Sequence, residues 1–237
     1  MSKSIAEQII FPSVCIFCRR VLLRQNDEMA SYFADQYRIC RKCISKISFR
    51  DFYEQELPCL SSHESSDNEP EIKAVVPLQY QEKVISAVRA LKFSEAVFFA
   101  PLFAFFISKA LDIHNVDFDV VVPVPLSDER LRSRGYNQAE LIGRYIALKR
   151  GRVCTERFLL RQRHTMQQSR LKDPSVRAQN VSNAFRVPES AHVEGLRILL
   201  VDDVVTTGST LYEAAHTLYM CGAETVWVSA VASGRNF

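Results

Sequence analysis

The chain has 237 residues, 47% of them apolar and 24% charged, and a formal net charge of +3. That length admits one large domain or a main domain with a small companion, and that apolar content argues against intrinsic disorder. The opening Met-Ser-Lys-Ser-Ile-Ala-Glu-Gln lacks the parts of a secretory signal, and the most apolar stretch, residues 98–111, contains Pro101 and Lys109 and is too short to span a bilayer. Seven cysteines in such a chain fit a reducing cytoplasm better than a disulfide framework.

In chain order, the first feature is a pair of Cys-x-x-Cys units, Cys15 with Cys18 and Cys40 with Cys43, twenty-one residues apart. Four thiolates suit one closed tetrahedral Zn²⁺ site, and Arg19, Arg20, Arg41 and Lys42 would place cations around it. Unmetallated cysteines are the alternative; a redox pair is disfavoured because neither unit has a thioredoxin-like βαβ setting. Cys59 and His63 leave a second metal site in doubt. Cys154 and Cys221, among apolar neighbours, read as core. The polar run Ser61 to Pro70 reads as a linker, so a module over 1–60, a linker over 61–71 and a main domain over 72–237 are expected.

Beyond the linker, apolar β-branched runs at 72–78, 118–126, 196–201 and 224–232 alternate with helix-like segments. The second and third runs are continuous, as in strands covered on both faces. Residues 98–111 read as a buried helix. Val84, Val88 and Leu91, then Leu141, Tyr145 and Leu148, then Leu211, Ala215 and Leu218 recur at helical spacing, and Gly222 closes the last of these segments. This alternation predicts an α/β domain with a mainly parallel sheet flanked by helices. Between Arg130 and Arg186 there are fourteen lysines and arginines against three acids, a local excess that suggests an anionic ligand.

Residues 198–210, Ile-Leu-Leu-Val-Asp-Asp-Val-Val-Thr-Thr-Gly-Ser-Thr, carry the most chemistry. A buried strand ends in two carboxylates, Asp202 and Asp203, and a loop of Thr206, Thr207, Gly208, Ser209 and Thr210 enters a helix. Helix entrances offer unpaired N–H groups to phosphate, hydroxyls add donors, and a carboxylate pair accepts from a diol directly or through Mg²⁺. The whole stretch resembles the signature of type I phosphoribosyltransferases. That resemblance implies their fold, Mg²⁺ and the donor 5-phosphoribosyl-1-pyrophosphate (PRPP). It also implies that Pro123, Val124 and Pro125, with Arg130 and Arg134 after them, form a pyrophosphate loop. Arg130 and Arg134 would then act with the two acids in catalysis, arginine being able to pair two phosphate oxygens at once. The X-Pro bonds here admit either isomer.

The resemblance narrows with Arg134-Gly-Tyr-Asn-Gln138, Arg163-His-Thr-Met-Gln-Gln168, Arg177-Ala-Gln-Asn180, and Tyr80 followed by Leu91-Lys92-Phe93. Together these resemble the ComF family, which joins a zinc-knuckle module to a type I phosphoribosyltransferase domain and acts in natural competence. Arg163, Thr165, Gln168 and Arg177 fall where type I enzymes carry a flap, although an exposed loop reads equally well there. Two functions stay open. One is an enzyme transferring a phosphoribosyl group to an unknown acceptor. The other is a non-catalytic adaptor of the DNA-uptake machinery that binds PRPP or single-stranded DNA, with a competence helicase or DNA-processing protein as partner.

Overall fold

The continuous apolar runs fold as strands buried on both faces. The computed structural model describes residues 12–22, 27–50, 59–60, 72–162 and 184–234. Helices α1 (Glu28–Tyr37) and α2 (Arg41–Ile44) precede strands β1 (Cys59–Leu60), β2 (Ile72–Val75) and β3 (Leu78–Gln79). Helices α3 (Glu82–Phe93) and α4 (Ala100–Ile113) lead to β4 (Val120–Pro123), α5 (Asp128–Arg134) and α6 (Gln138–Arg150). Short strands β5 (Val153–Cys154), β6 (Leu160–Arg161) and β7 (Phe185–Arg186) follow, and then β8 (Arg197–Val205), α7 (Ser209–Met220) and β9 (Thr225–Ser233).

The main sheet runs in the order β1-β2-β9-β8-β4-β5, with β3 also on β9. β1 pairs antiparallel with β2, whereas β2, β3, β9, β8, β4 and β5 run parallel. β6 and β7 form a separate antiparallel ribbon. Alternate residues serve opposite faces. Val121, Leu199 and Val201 pack with Phe103, Ile107, Ile142 and Ile146 of α4 and α6, while Val122, Ile198 and Leu200 pack with Leu211, Ala215 and Leu218 of α7. A Cβ on Gly143 would come within 3.1 Å of Cys154 Sγ and Val121 Cγ1, so the missing side chain lets α6 lie close against β4 and β5.

Three sequence expectations shift. The run at 72–78 divides into two strands around Pro77, which has no N–H for a sheet ladder. The run at 118–126 keeps a strand only over Val120–Pro123, because Pro125 again removes a donor. Peptide bonds are trans throughout the described residues. Cys221 is exposed rather than core: it ends α7, where Gly222 (φ 96°) turns the chain and N–H bonds from Gly222 to Tyr219 and from Ala223 to Leu218 close a Schellman motif. Cys154 is partly buried, and burial pushes its thiol up to about 12.

The cysteine-rich segment packs directly on the sheet's helical layer. Cys15, Cys40, Cys43, Phe33 and Ile39 share one apolar cluster with Phe99, Phe103 and Leu102. Phe17 meets Phe99 edge-on at 5.1 Å between ring centroids, Phe33 meets Phe105 at 5.6 Å, and Lys149 Nζ sits 4.8 Å over the Phe105 ring and 3.0 Å from the Tyr37 hydroxyl. Among the described residues no helix is long and apolar enough to cross a membrane.

Candidate functional site

The strand carrying the acids runs past its neighbour. β8 pairs with β4 only as far as Val201, opposite Pro123, yet continues along β9 to Val205. The sequence reading ends that strand at Val201; pairing with β9 carries it four residues further. Asp202 and Asp203 therefore lie within β8, just where the chain of β4 has turned away and opened a crevice. Ligands of open α/β sheets sit in such crevices beyond the strand ends.

A cleft of about 440 Å³ occupies this place. Asp202, Asp203, Thr206, Thr207, Gly208 and Thr210 line one side, and Val124, Pro125, Arg130 and Arg134 face them. Pro123 stays back in β4, and Ser209 lies outside the wall with its hydroxyl 3.2 Å from that of Thr207. Gly208 adopts φ 83°, a left-handed turn that starts α7. The first-turn N–H groups of a helix lack partners within it, and here that turn borders the cleft.

Spacing explains which arginines face inward. Arg130 and Arg134 are one helical turn apart on α5, and Arg132 projects elsewhere. Ser127 caps α5, accepting from the Arg130 N–H at 3.4 Å, and Gly135 ends it at φ 77°. Each residue of Arg134-Gly-Tyr-Asn-Gln138 then has a task. Gln138, fully buried, accepts from Arg134 Nη1 through Oε1 at 2.9 Å, while the Phe93 ring stacks under the same guanidinium at 5.1 Å. Tyr136 donates to the Leu91 carbonyl at 2.5 Å. Asn137 caps α6 by accepting from the Ala139 N–H and donates Nδ2–H to the Val124 carbonyl, both at 3.0 Å. Asn137→Ala is expected to lose about 1–2 kcal/mol through the cap and this bond. A thermal melt should show Tm lower by about 2–8 °C, and an unchanged Tm would show that the bond to the Val124 carbonyl matters little.

Sequence reasoning missed two cations of the cleft as site residues. Arg161, on β6, reaches the wall and rests its guanidinium 5.4 Å over the Phe185 ring. Lys92, at the end of α3, places Nζ 2.8 Å from Asp203 Oδ1. Only the family motif around Lys92 hints at it; Arg161 lies in the basic segment with no distinguishing signal. Arg163, Thr165, Gln168 and Arg177 lie outside the described residues, as does His63; β6 and β7 bracket that first group.

Burial, and then the neighbouring Asp203 charge, push the Asp202 carboxyl up to about 7, against the pull of the Asp203 N–H, Lys92 and Arg161. The Asp203 N–H donates to Asp202 Oδ1 at 2.7 Å. A raised acid is favoured in its protonated form by the fold, so stability is lost as pH rises from the ordinary Asp range to the folded value. Asp202→Asn is therefore expected to stabilise the protein by about 1–3 kcal/mol at pH 8, less than the full shift implies because the residue still meets solvent. The gain should shrink by more than half at pH 5. A gain equal at both pH values in paired melts would refute this origin.

The second site is the cysteine cluster. The four Sγ atoms of Cys15, Cys18, Cys40 and Cys43 lie within 4.8 Å of one another, with Cys18 and Cys40 3.7 Å apart and no disulfide formed. Tetrahedral thiolates about 2.3 Å from a zinc ion stand about 3.8 Å apart, so the spacing admits a metal ion such as zinc. A backbone bond from Arg20 lowers the Cys18 thiol to about 7, while burial raises Cys40 and Cys43. The Cys40 N–H points at Cys15 Sγ at 3.4 Å.

Comparison with known proteins identifies the domain that carries the cleft. Residues 115–236 match the phosphoribosyl transferase domain family. Over 228 residues the chain is 30% identical to Competence protein F of Haemophilus influenzae, covering 92% of this chain and 96% of that one. The chain belongs to the ComF family of phosphoribosyl transferase domain proteins. This ComF-family chain is also 41% identical over 110 residues to the DNA utilization protein YhgH of Salmonella typhi, a match that spans about half of either chain (46% and 47%). Among solved structures, adenine phosphoribosyl transferase from Trypanosoma brucei overlaps 81% of this chain and 66% of its own, at 13% identity and a TM-score of 0.40.

Proposed function

We propose that this protein binds PRPP in the β8–α7 cleft and transfers its phosphoribosyl group, releasing pyrophosphate. One observation carries the reading: an acidic pair at the outrun end of a parallel strand, a Thr/Gly helix entrance and a basic wall meet in one cleft. Asp202 and Asp203 would accept from the ribose hydroxyls. Thr206, Thr207, Gly208 and Thr210 would hold the 5-phosphate at the helix entrance. Arg130 and Arg134, the latter held by Gln138 and Phe93, would face the pyrophosphate, and Arg161 would add charge from the ribbon.

Pyrophosphate departure leaves positive charge at the anomeric carbon, so stabilising the leaving anion is the main catalytic need. The two adjacent carboxylates are hard oxygen donors that suit Mg²⁺, which when bound would neutralise pyrophosphate charge. Arg134, already held in place, would supply the same help without reorganising during the reaction. A flap carrying Arg163, Thr165, Gln168 and Arg177, which lie outside the described residues, would exclude water. The four cysteines would hold a structural zinc ion. Because relatives carry the names Competence protein F and DNA utilization protein, we place the activity in cytoplasmic handling of incoming DNA.

Calorimetric titration with PRPP, with and without Mg²⁺, tests the site, and a pyrophosphate-release assay across candidate acceptors tests transfer. Saturable Mg²⁺-assisted binding is expected. Absence of binding would end this reading, and binding without release under any acceptor would leave a PRPP-binding adaptor in its place.

A further inference from the structure

Three successive residues at the end of α3 each hold a different part of the cleft. The Leu91 carbonyl accepts from Tyr136, Lys92 pairs with Asp203, and the Phe93 ring lies under Arg134. The outer two contacts fix the helix end against the end of α5 and the turn after it. Between them Lys92 reaches the acidic pair on a flexible stem, and only 21% of its side chain and 11% of that of Asp203 remain exposed.

That contact answers an electrostatic need. Two adjacent carboxylates, largely removed from water, repel one another and require a nearby cation. Among the described residues the ion pair found at these acids is Lys92 with Asp203. A divalent ion on Asp203 would put a charge of +2 on the carboxylate that now balances the ammonium, and repulsion between the two cations disfavours holding both at once. We propose that Lys92 is the protein's own counter-ion for Asp202 and Asp203, holding the position of the donor's divalent cation until that cation arrives, so that the two exclude each other. This rests on reading the acidic pair as a metal and diol site.

Lysine suits the task. Its ammonium is a point charge on one oxygen, not the two-pronged clamp of an arginine, and it can swing away by side-chain rotation alone. With Tyr136 and Phe93 keeping the helix end fixed, the exchange needs no movement of the fold. Lys92 is thus a positioning residue that keeps metal off the site when no donor is present.

The test uses the full chain and Mn²⁺ alone, an ion that prefers oxygen ligands to thiolates, with free Mn²⁺ counted by electron paramagnetic resonance. Lys92→Met is expected to bind one Mn²⁺ about tenfold or more tightly than the parent, since a full positive charge has left the site. Lys92→Arg, keeping the charge, should stay within about threefold of the parent. Adding Asp203→Asn to Lys92→Met should abolish the gain. Equal Mn²⁺ affinity in parent and Lys92→Met, or a gain that survives Asp203→Asn, overturns the proposal. Lys92→Gln, read the same way, replaces Lys92→Met if that variant melts early. Because no PRPP is present, failure here leaves donor binding untouched, and failure of PRPP to bind leaves the Mn²⁺ result standing.

Discussion

Asp203→Asn is expected to weaken PRPP binding about tenfold to a hundredfold in a calorimetric titration with Mg²⁺. A hydrogen bond to a charged group contributes about 1.5–3 kcal/mol, and each 1.4 kcal/mol is tenfold in affinity. Asparagine keeps the shape and one acceptor but loses the charge that a diol or a cation would meet. The residue is buried at the cleft, asparagine has its size, and Asp202 remains beside Lys92 to meet the ammonium, so the sheet should stay in place. Its neighbour offers a contrast. Asp202→Asn should also weaken binding yet raise Tm at pH 8, because that carboxyl is held in an environment that disfavours its charge. Opposite movements of affinity and stability mark a site strained for function. PRPP affinity unaltered in both variants would remove the acids from the site.

Loss of a metal held by the four cysteines, as proposed, should have the largest effect on stability. One zinc per chain is expected by elemental analysis, and its removal by a chelator, or Cys43→Ser, should lower Tm by about 10 °C or more. Cys15, Cys40 and Cys43 are buried in the same apolar cluster as Phe33, Ile39 and Phe99, so losing their tie would loosen α1, α2 and the contact with α4 together. Protons compete with metal for thiolates, and acidification below neutrality should ease removal. The Arg20 backbone bond lowers the Cys18 thiol to about 7, which favours its thiolate. A metal-free preparation that melts at the same temperature as the untreated protein would overturn the structural role.

Much of the architecture was legible in the order of residues because it depends on local pattern. Continuous apolar runs with β-branched residues, such as Ile198–Val201, read as strands covered on both faces. Helical spacing located α3, α6 and α7, and the Schellman glycine at Gly222 marked where α7 ends. Short elements were not legible. β5, β6 and β7 have two residues each and owe their form to neighbours; α1 went unread although its buried Ala30, Phe33 and Ala34 recur at helical spacing.

By itself, the sequence determined the kind of chemistry: an acidic pair leading into a Thr/Gly helix entrance, arginines one turn apart, and four thiols in two close pairs. Those features need only nearby residues, so spacing along the chain suffices to reveal them. Tertiary structure alone decided which charges converge. Lys92 meets Asp203, Arg161 crosses from the ribbon, Tyr136 ties down Leu91, and the cysteine cluster docks on α4. Each joins segments far apart in sequence, and such pairings are set by how the sheet twists and its helices pack, which no local periodicity encodes.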